Sequence, residues 1–166
     1  MQTLPHPFFL LTCVSLLVST AILILGALVL PITPALWTIP GAFVITAAYH
    51  VTSVLLSNSG NERTRQTYST FRFVGAYLLS AIWVGVLTIS LTFTISLALG
   101  TFEAPKTYPK INPILITMSA FCLVHPFILG AIGVILHKER KQEQYREKWK
   151  WKQQINTSNW SVGRDY

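Results

Sequence analysis

Apolar residues run along this chain in four long stretches, without the short periodic bursts of a water-soluble fold. Phe8 to Leu30, Ala35 to Leu56, Phe73 to Leu99 and Ile114 to Leu136 contain no Lys, Arg, Asp or Glu. About 20 apolar residues cross a hydrocarbon layer of about 30 Å, so each stretch is long enough to span it. The third is the longest and must tilt or protrude. Pro31 and Pro34 break the first stretch from the second, the polar "SNSGNERTRQTYST" lies between the second and third, and the proline-bearing "GTFEAPKTYPKINP" precedes the fourth. The pattern predicts an all-α, polytopic four-transmembrane-helix bundle with short loops over residues 1–137. A basic helix and tail follow over 138–166, with order lost after about 155.

Two other layouts fit less well. "TISLTFTIS" alternates hydroxyl and apolar residues as a barrel strand would, but "AILILGALVL" does not, and barrel strands run only about 10 residues. The first stretch is too long for the apolar core of a signal peptide, and "MQTLPHPFF" ahead of it has no positive charge, so it reads as an uncleaved span.

Composition agrees. Hydrophobic residues make up 51% of the 166 and charged residues 11%, less than half the share of about 25% usual in soluble domains. No charge occurs between Met1 and Asn61, and the segment after Leu136, with eight basic and four acidic residues, carries +4 of the net charge of +7. Positive residues mark the cytoplasmic side of a membrane protein. Arg63, Arg65 and Arg72 flank the second and third spans, and Lys138, Arg140, Lys141, Arg146, Lys148, Lys150, Lys152 and Arg164 follow the fourth. An even span count places all of these on one side, against only Lys106 and Lys110 on the other. Both termini are therefore expected in the cytoplasm, in a plasma membrane or an endomembrane. The glycosylation patterns at Asn156 and Asn159 would then stay unmodified.

Helices in lipid associate through small residues and interhelical hydrogen bonds. Each span has a candidate stripe for this: Ser15, Ser19 and Gly26 in the first, Thr46 and Ser53 in the second, Ala81 and Gly85 in the third, and Ser119, Gly130 and Gly133 in the fourth. The same hydroxyls could line a pore, but in membrane helices they more often bond to neighbouring helices or to their own backbone.

His50 and His125 are the imidazoles inside spans, and ionisable groups there are functional candidates by default. As facing axial ligands they would make a bis-histidine haem. The simpler reading is structural and calls for no cofactor. Pro126 cannot donate to the carbonyl of Cys122, so the helix kinks at His125–Pro126, and each imidazole donates to a hydroxyl or carbonyl nearby. No buried carboxylate, nucleophile set, phosphate loop or metal motif accompanies the histidines, so the chain reads as non-enzymatic.

The segment "HKERKQEQYREKWKWKQQ" continues the fourth span as a helix. Lys138, Arg140, Lys141, Arg146, Lys148, Trp149, Lys150, Trp151 and Lys152 suit anionic lipid headgroups, with the tryptophans at headgroup level. Glu139, Glu143 and Glu147 dilute that charge, so a merely solvated tail fits equally. Nucleic acid is not needed to explain the basic balance; the bilayer and a membrane-protein partner or second copy are the expected contacts.

Four spans, short loops, cytoplasmic termini and a charged C-terminal tail resemble the MARVEL-type tetraspan proteins. The "YH" of the second span and the following "SGNERTR" are similar to uncharacterised fungal four-span proteins. The likeness is one of layout from Phe8 to about Lys152 and carries over no site residue. It implies a non-enzymatic role in membrane apposition, vesicle traffic or microdomain organisation. An accessory subunit of a channel, transporter or larger membrane complex is the alternative.

Overall fold

The computed structural model describes residues 6–30, 34–57, 62–101 and 111–161, with side chains over 8–30, 35–55, 70–101, 111–146 and 148–152. It is all helical: α1 His6–Val29, a 3₁₀ turn Pro34–Trp37 leading into α2 Thr38–Ser57, α3 Glu62–Ala98, and α4 Ile111–Ser161. Four stretches within these helices are long and apolar enough to cross a membrane: Phe8–Val29, Ala35–Leu55, Thr70–Ala98 and part of Ile111–Lys152. A multi-pass membrane protein is consistent with that layout.

Local chemistry fixes several helix ends. Pro7, Pro40 and Pro113 each sit in a first turn, where a missing N–H costs nothing and the fixed φ already suits a helix. Gly100, at φ +70°, ends α3. Its N–H reaches the Leu97 carbonyl at 3.2 Å and the Thr101 N–H reaches that of Ser96 at 3.0 Å. That is a Schellman cap, which needs a left-handed residue at this position.

The helices pack in cyclic order, α1 on α2, α2 on α3, α3 on α4 and α4 back on α1, with α3 and α4 in the longest contact. Phe8, Ile22, Ile39, Trp83, Met118, Cys122, Leu129 and Ile132 fill the interior. Leu17, Leu55, Val44, Leu78 and Phe127 point outwards, as lipid-facing side chains do.

α4 is the longest element and runs as one helix through Pro126. It continues to Ser161, past the point near 155 where composition predicted loss of order. Beyond Leu136 it forms an arm. α3 also begins ahead of its apolar stretch, at Glu62, and runs beside the base of that arm.

Candidate functional site

The bundle interior holds a layer of polar side chains, and most of them are consumed by one another. Thr46 donates to the Ala42 carbonyl of its own helix at 2.7 Å and accepts from Trp83 Nε1 at 2.9 Å. This joins α2 to α3 through a fully buried tryptophan. Ser15 Oγ and His50 Nε2 share a hydrogen bond of 2.9 Å that joins α1 to α2. Ser90 and Ser119 pair at 2.7 Å, with Thr94 at 3.1 Å from Ser119, joining α3 to α4. Ser80 donates to the Pro126 carbonyl at 3.0 Å. With no water in a bilayer core, such groups must find protein partners, and here they become the interhelical fastenings.

The two histidines differ. His50 finds a nearby hydroxyl as expected, that of Ser15 on the neighbouring helix, while its Nδ1 has no partner among the described residues. His125 is completely buried, yet neither ring nitrogen has a hydrogen-bond partner among the described residues. Its expected donation to a hydroxyl or carbonyl is therefore not made. The His125 ring instead stands edge-on to Trp83, with centroids 4.4 Å apart and planes at 69°. A bis-histidine haem does not fit this arrangement. Its macrocycle would need the space beside His125 that Trp83 fills, and His50 Nε2 is already committed to Ser15. Among the described residues, no three His, Cys, Asp or Glu side chains come together as a metal centre.

Of the small residues expected to mediate packing, Ser15, Ser19, Gly26, Thr46, Ser53, Ser119 and Gly133 are buried, and Gly130 is half-buried. Ala81 and Gly85 are not: both face out of the bundle, and nothing lies within 4 Å of a Cβ built on Gly85. Trp83 sets the register of α3, turning Ala76, Leu79, Trp83, Val86 and Ser90 inwards and the Ala81–Gly85–Thr88–Thr92 face outwards. The close approach on α3 occurs instead at Gly75. A Cβ there would lie 2.7 Å from the Tyr49 ring, whose hydroxyl donates to the Arg72 carbonyl at 2.6 Å. "YH" at 49–50 contained the signal, but the glycine that accommodates the ring is on another helix.

At the basic end of the bundle, Arg72 links four helices. Its guanidinium lies over the Phe8 ring at 4.7 Å, its carbonyl holds Tyr49, and Glu139 and Glu143 of α4 lie within its electrostatic reach. Phe73 beside it makes an edge contact with His137, centroids 5.7 Å apart, and takes the Arg140 guanidinium over its face at 5.0 Å. Arg140 is thus half-buried against α3, unlike the rest of the basic set on the arm.

The arm sorts its charges by face. At about 100° per residue, Glu139, Glu143 and Glu147 fall on one side, and Glu139 and Glu143 are half-buried towards α3. Lys138, Lys141, Tyr145, Lys148, Trp149 and Lys152 fall within an arc of about 100° on the opposite side. All six are exposed, and Lys152 Nζ lies 5.6 Å from the Trp149 ring centre. Arg146 and Trp151 are exposed on the flanks, and Lys150 is exposed on the acidic side. Glu139 and Glu143, which dilute the charge in sequence, are therefore turned away from the basic face in space. Compared with known protein families, curated proteins and solved structures, the chain matches none.

Proposed function

We propose that this chain is a non-enzymatic, multi-pass membrane protein of the tetraspan-scaffold type, like the MARVEL-type proteins in layout. Its bundle anchors a basic arm on the cytoplasmic side, and the arm contacts anionic lipid headgroups and so organises membrane. The observation that carries this reading is the sorting of charge on α4: an exposed Lys–Tyr–Trp face opposite three glutamates, two of them turned towards α3. Each basic residue near an anionic surface contributes about 1 kcal/mol, and the acid-free face lets several act together. The interior supports an anchor more than a reaction centre, because its hydroxyls and Trp83 are occupied in joining helices.

The test is a titration of the purified full chain, in neutral detergent, with soluble short-chain phosphatidylserine. Binding that weakens with salt, and is absent for the phosphatidylcholine analogue, supports the reading; equal binding of the two lipids overturns it.

A second reading, the accessory subunit, is favoured by the outward Ala81–Gly85–Thr88–Thr92 face of α3. Small residues let helix backbones approach closely in lipid, and this stripe has no partner within the described bundle. Co-purification of a membrane protein in stoichiometric amount, lost on Gly85→Ile, would establish it.

A further inference from the structure

We infer that the anionic surface met by the distal arm belongs to a second bilayer facing the protein, and not to the leaflet in which the bundle sits. The inference rests on the lipid-binding reading above and adds which membrane is bound. It comes from the continuity of α4. From Phe127 to the end of the helix at Ser161 the chain has no proline and no break, so the arm leaves the membrane along the direction of the last half-span.

At about 1.5 Å per residue, Lys148 stands about 18 Å and Lys152 about 24 Å beyond Leu136 along the axis. The headgroup layer of one leaflet is only about 5–7 Å deep. Even a tilt of about 40° leaves Lys152 about 18 Å above the end of the hydrocarbon. Lys138 and Lys141 are within reach of their own leaflet; Lys148 to Lys152 are not. The base of the arm is also held to α3 through Arg140 on Phe73 and the Phe73–His137 contact, which opposes its swinging down.

The chemistry of the distal segment fits a membrane surface met end-on. Lys148, Trp149, Lys150, Trp151 and Lys152 occupy all sides of the helix and are all exposed. No acidic residue follows Glu147 until Asp165. Tryptophan among lysines is the composition of the headgroup region, where the ring lies among acyl ends and the ammonium meets phosphate. An acidic protein segment would be served by the lysines, but it would leave two exposed indoles on opposite sides of the helix, Trp149 and Trp151, without a shared pocket.

The experiment uses the full chain in nanodiscs of phosphatidylcholine alone, mixed with vesicles in which about one lipid in three is phosphatidylserine. Capture of these vesicles, but not of pure phosphatidylcholine vesicles, is expected. Lys148→Glu with Lys152→Glu should lower capture at least about tenfold, while the same charge reversal at Lys110, which precedes the fourth span at its other end, should change it by no more than about twofold. When phosphatidylserine is also placed in the nanodisc, capture should persist. Its loss would mean that the arm lies on its own leaflet, overturning the inference while leaving the lipid-binding reading intact. Absence of capture together with absence of short-chain phosphatidylserine binding would overturn both, and absence of capture with that binding retained would overturn the inference alone.

Discussion

The interior of the bundle and the arm of α4 are both rich in polar side chains, and they use them in opposite ways. Inside, several polar groups find partners on other helices: Ser15 with His50, Trp83 with Thr46, Ser90 with Ser119. On the arm, Lys138, Lys141, Lys148, Lys152 and Trp149 stand exposed along one face while Glu139 and Glu143 turn towards α3. The solvent explains the difference. In lipid an unpaired polar group costs several kcal/mol and must be absorbed by the protein, whereas in water it can remain open to a ligand. Interior substitutions should therefore change stability, and arm substitutions should change binding.

The largest expected effect is at Trp83, which fills the centre, donates to Thr46 and supports the His125 ring. Trp83→Ala should destabilise the bundle by about 3–5 kcal/mol, read as a fall in the thermal unfolding midpoint in detergent. An unchanged midpoint would mean that the interior is not packed around this residue. Two glycines on the same helix give the next contrast. Gly75→Ala drives a methyl into the Tyr49 ring, which cannot swing away without losing its 2.6 Å bond to the Arg72 carbonyl, and should cost about 1–3 kcal/mol. Gly85→Ala meets open space and should be neutral, or stabilising by up to about 1 kcal/mol from helix propensity. Equal effects at the two sites would mean that α3 does not turn Gly75 inwards and Gly85 outwards.

That register marks the limit of what could be read before the structure. Charge-free runs from Phe8, Ala35, Phe73 and Ile114 locate the helices, because length and apolarity alone decide whether a segment suits lipid. Which face points inwards is harder, since a span is apolar all round and lacks the polar side that orients a soluble helix. On α1 and α2 the small and hydroxyl residues did mark the inner face, as buried Ser15, Ser19, Thr46 and Ser53 show. On α3 one large residue, Trp83, took the interior and turned Ala81 and Gly85 outwards. Charge sorting on the arm could have been found by plotting Lys138 to Lys152 around a helix. A count of acids against bases conceals it, because Glu139, Glu143 and Glu147 recur every four residues and stay on one side.

A smaller interior effect tests the fastenings themselves. Ser15→Ala leaves His50 Nε2 buried beside its already unpaired Nδ1, and should cost about 1–3 kcal/mol. His125→Phe should have the opposite character. The ring nitrogens of His125 make no hydrogen bond among the described residues, and the site already packs a ring against Trp83. An apolar ring of similar shape removes two unpaired polar atoms, so the variant should be at least as stable as the parent. A marked loss of stability would show that His125 does have a polar partner in the membrane.

The smallest expected change in stability is on the arm, and it decides whether the two regions are separable. Trp149 and Trp151 are each about two-thirds exposed, at 65% and 68%, and among the described residues their one ring contact is that of Lys152 with Trp149. Replacing both with Ala removes almost no buried surface, so the unfolding free energy should shift by no more than about 0.5 kcal/mol. Capture of anionic vesicles should nevertheless fall clearly, since two headgroup anchors are gone while every lysine remains. A variant that loses stability and capture together would mean that the indoles pack against the protein, and the comparison between a closed interior and an open arm would fail. A variant that keeps its stability and loses capture would assign anchoring to the bundle and recognition to the arm.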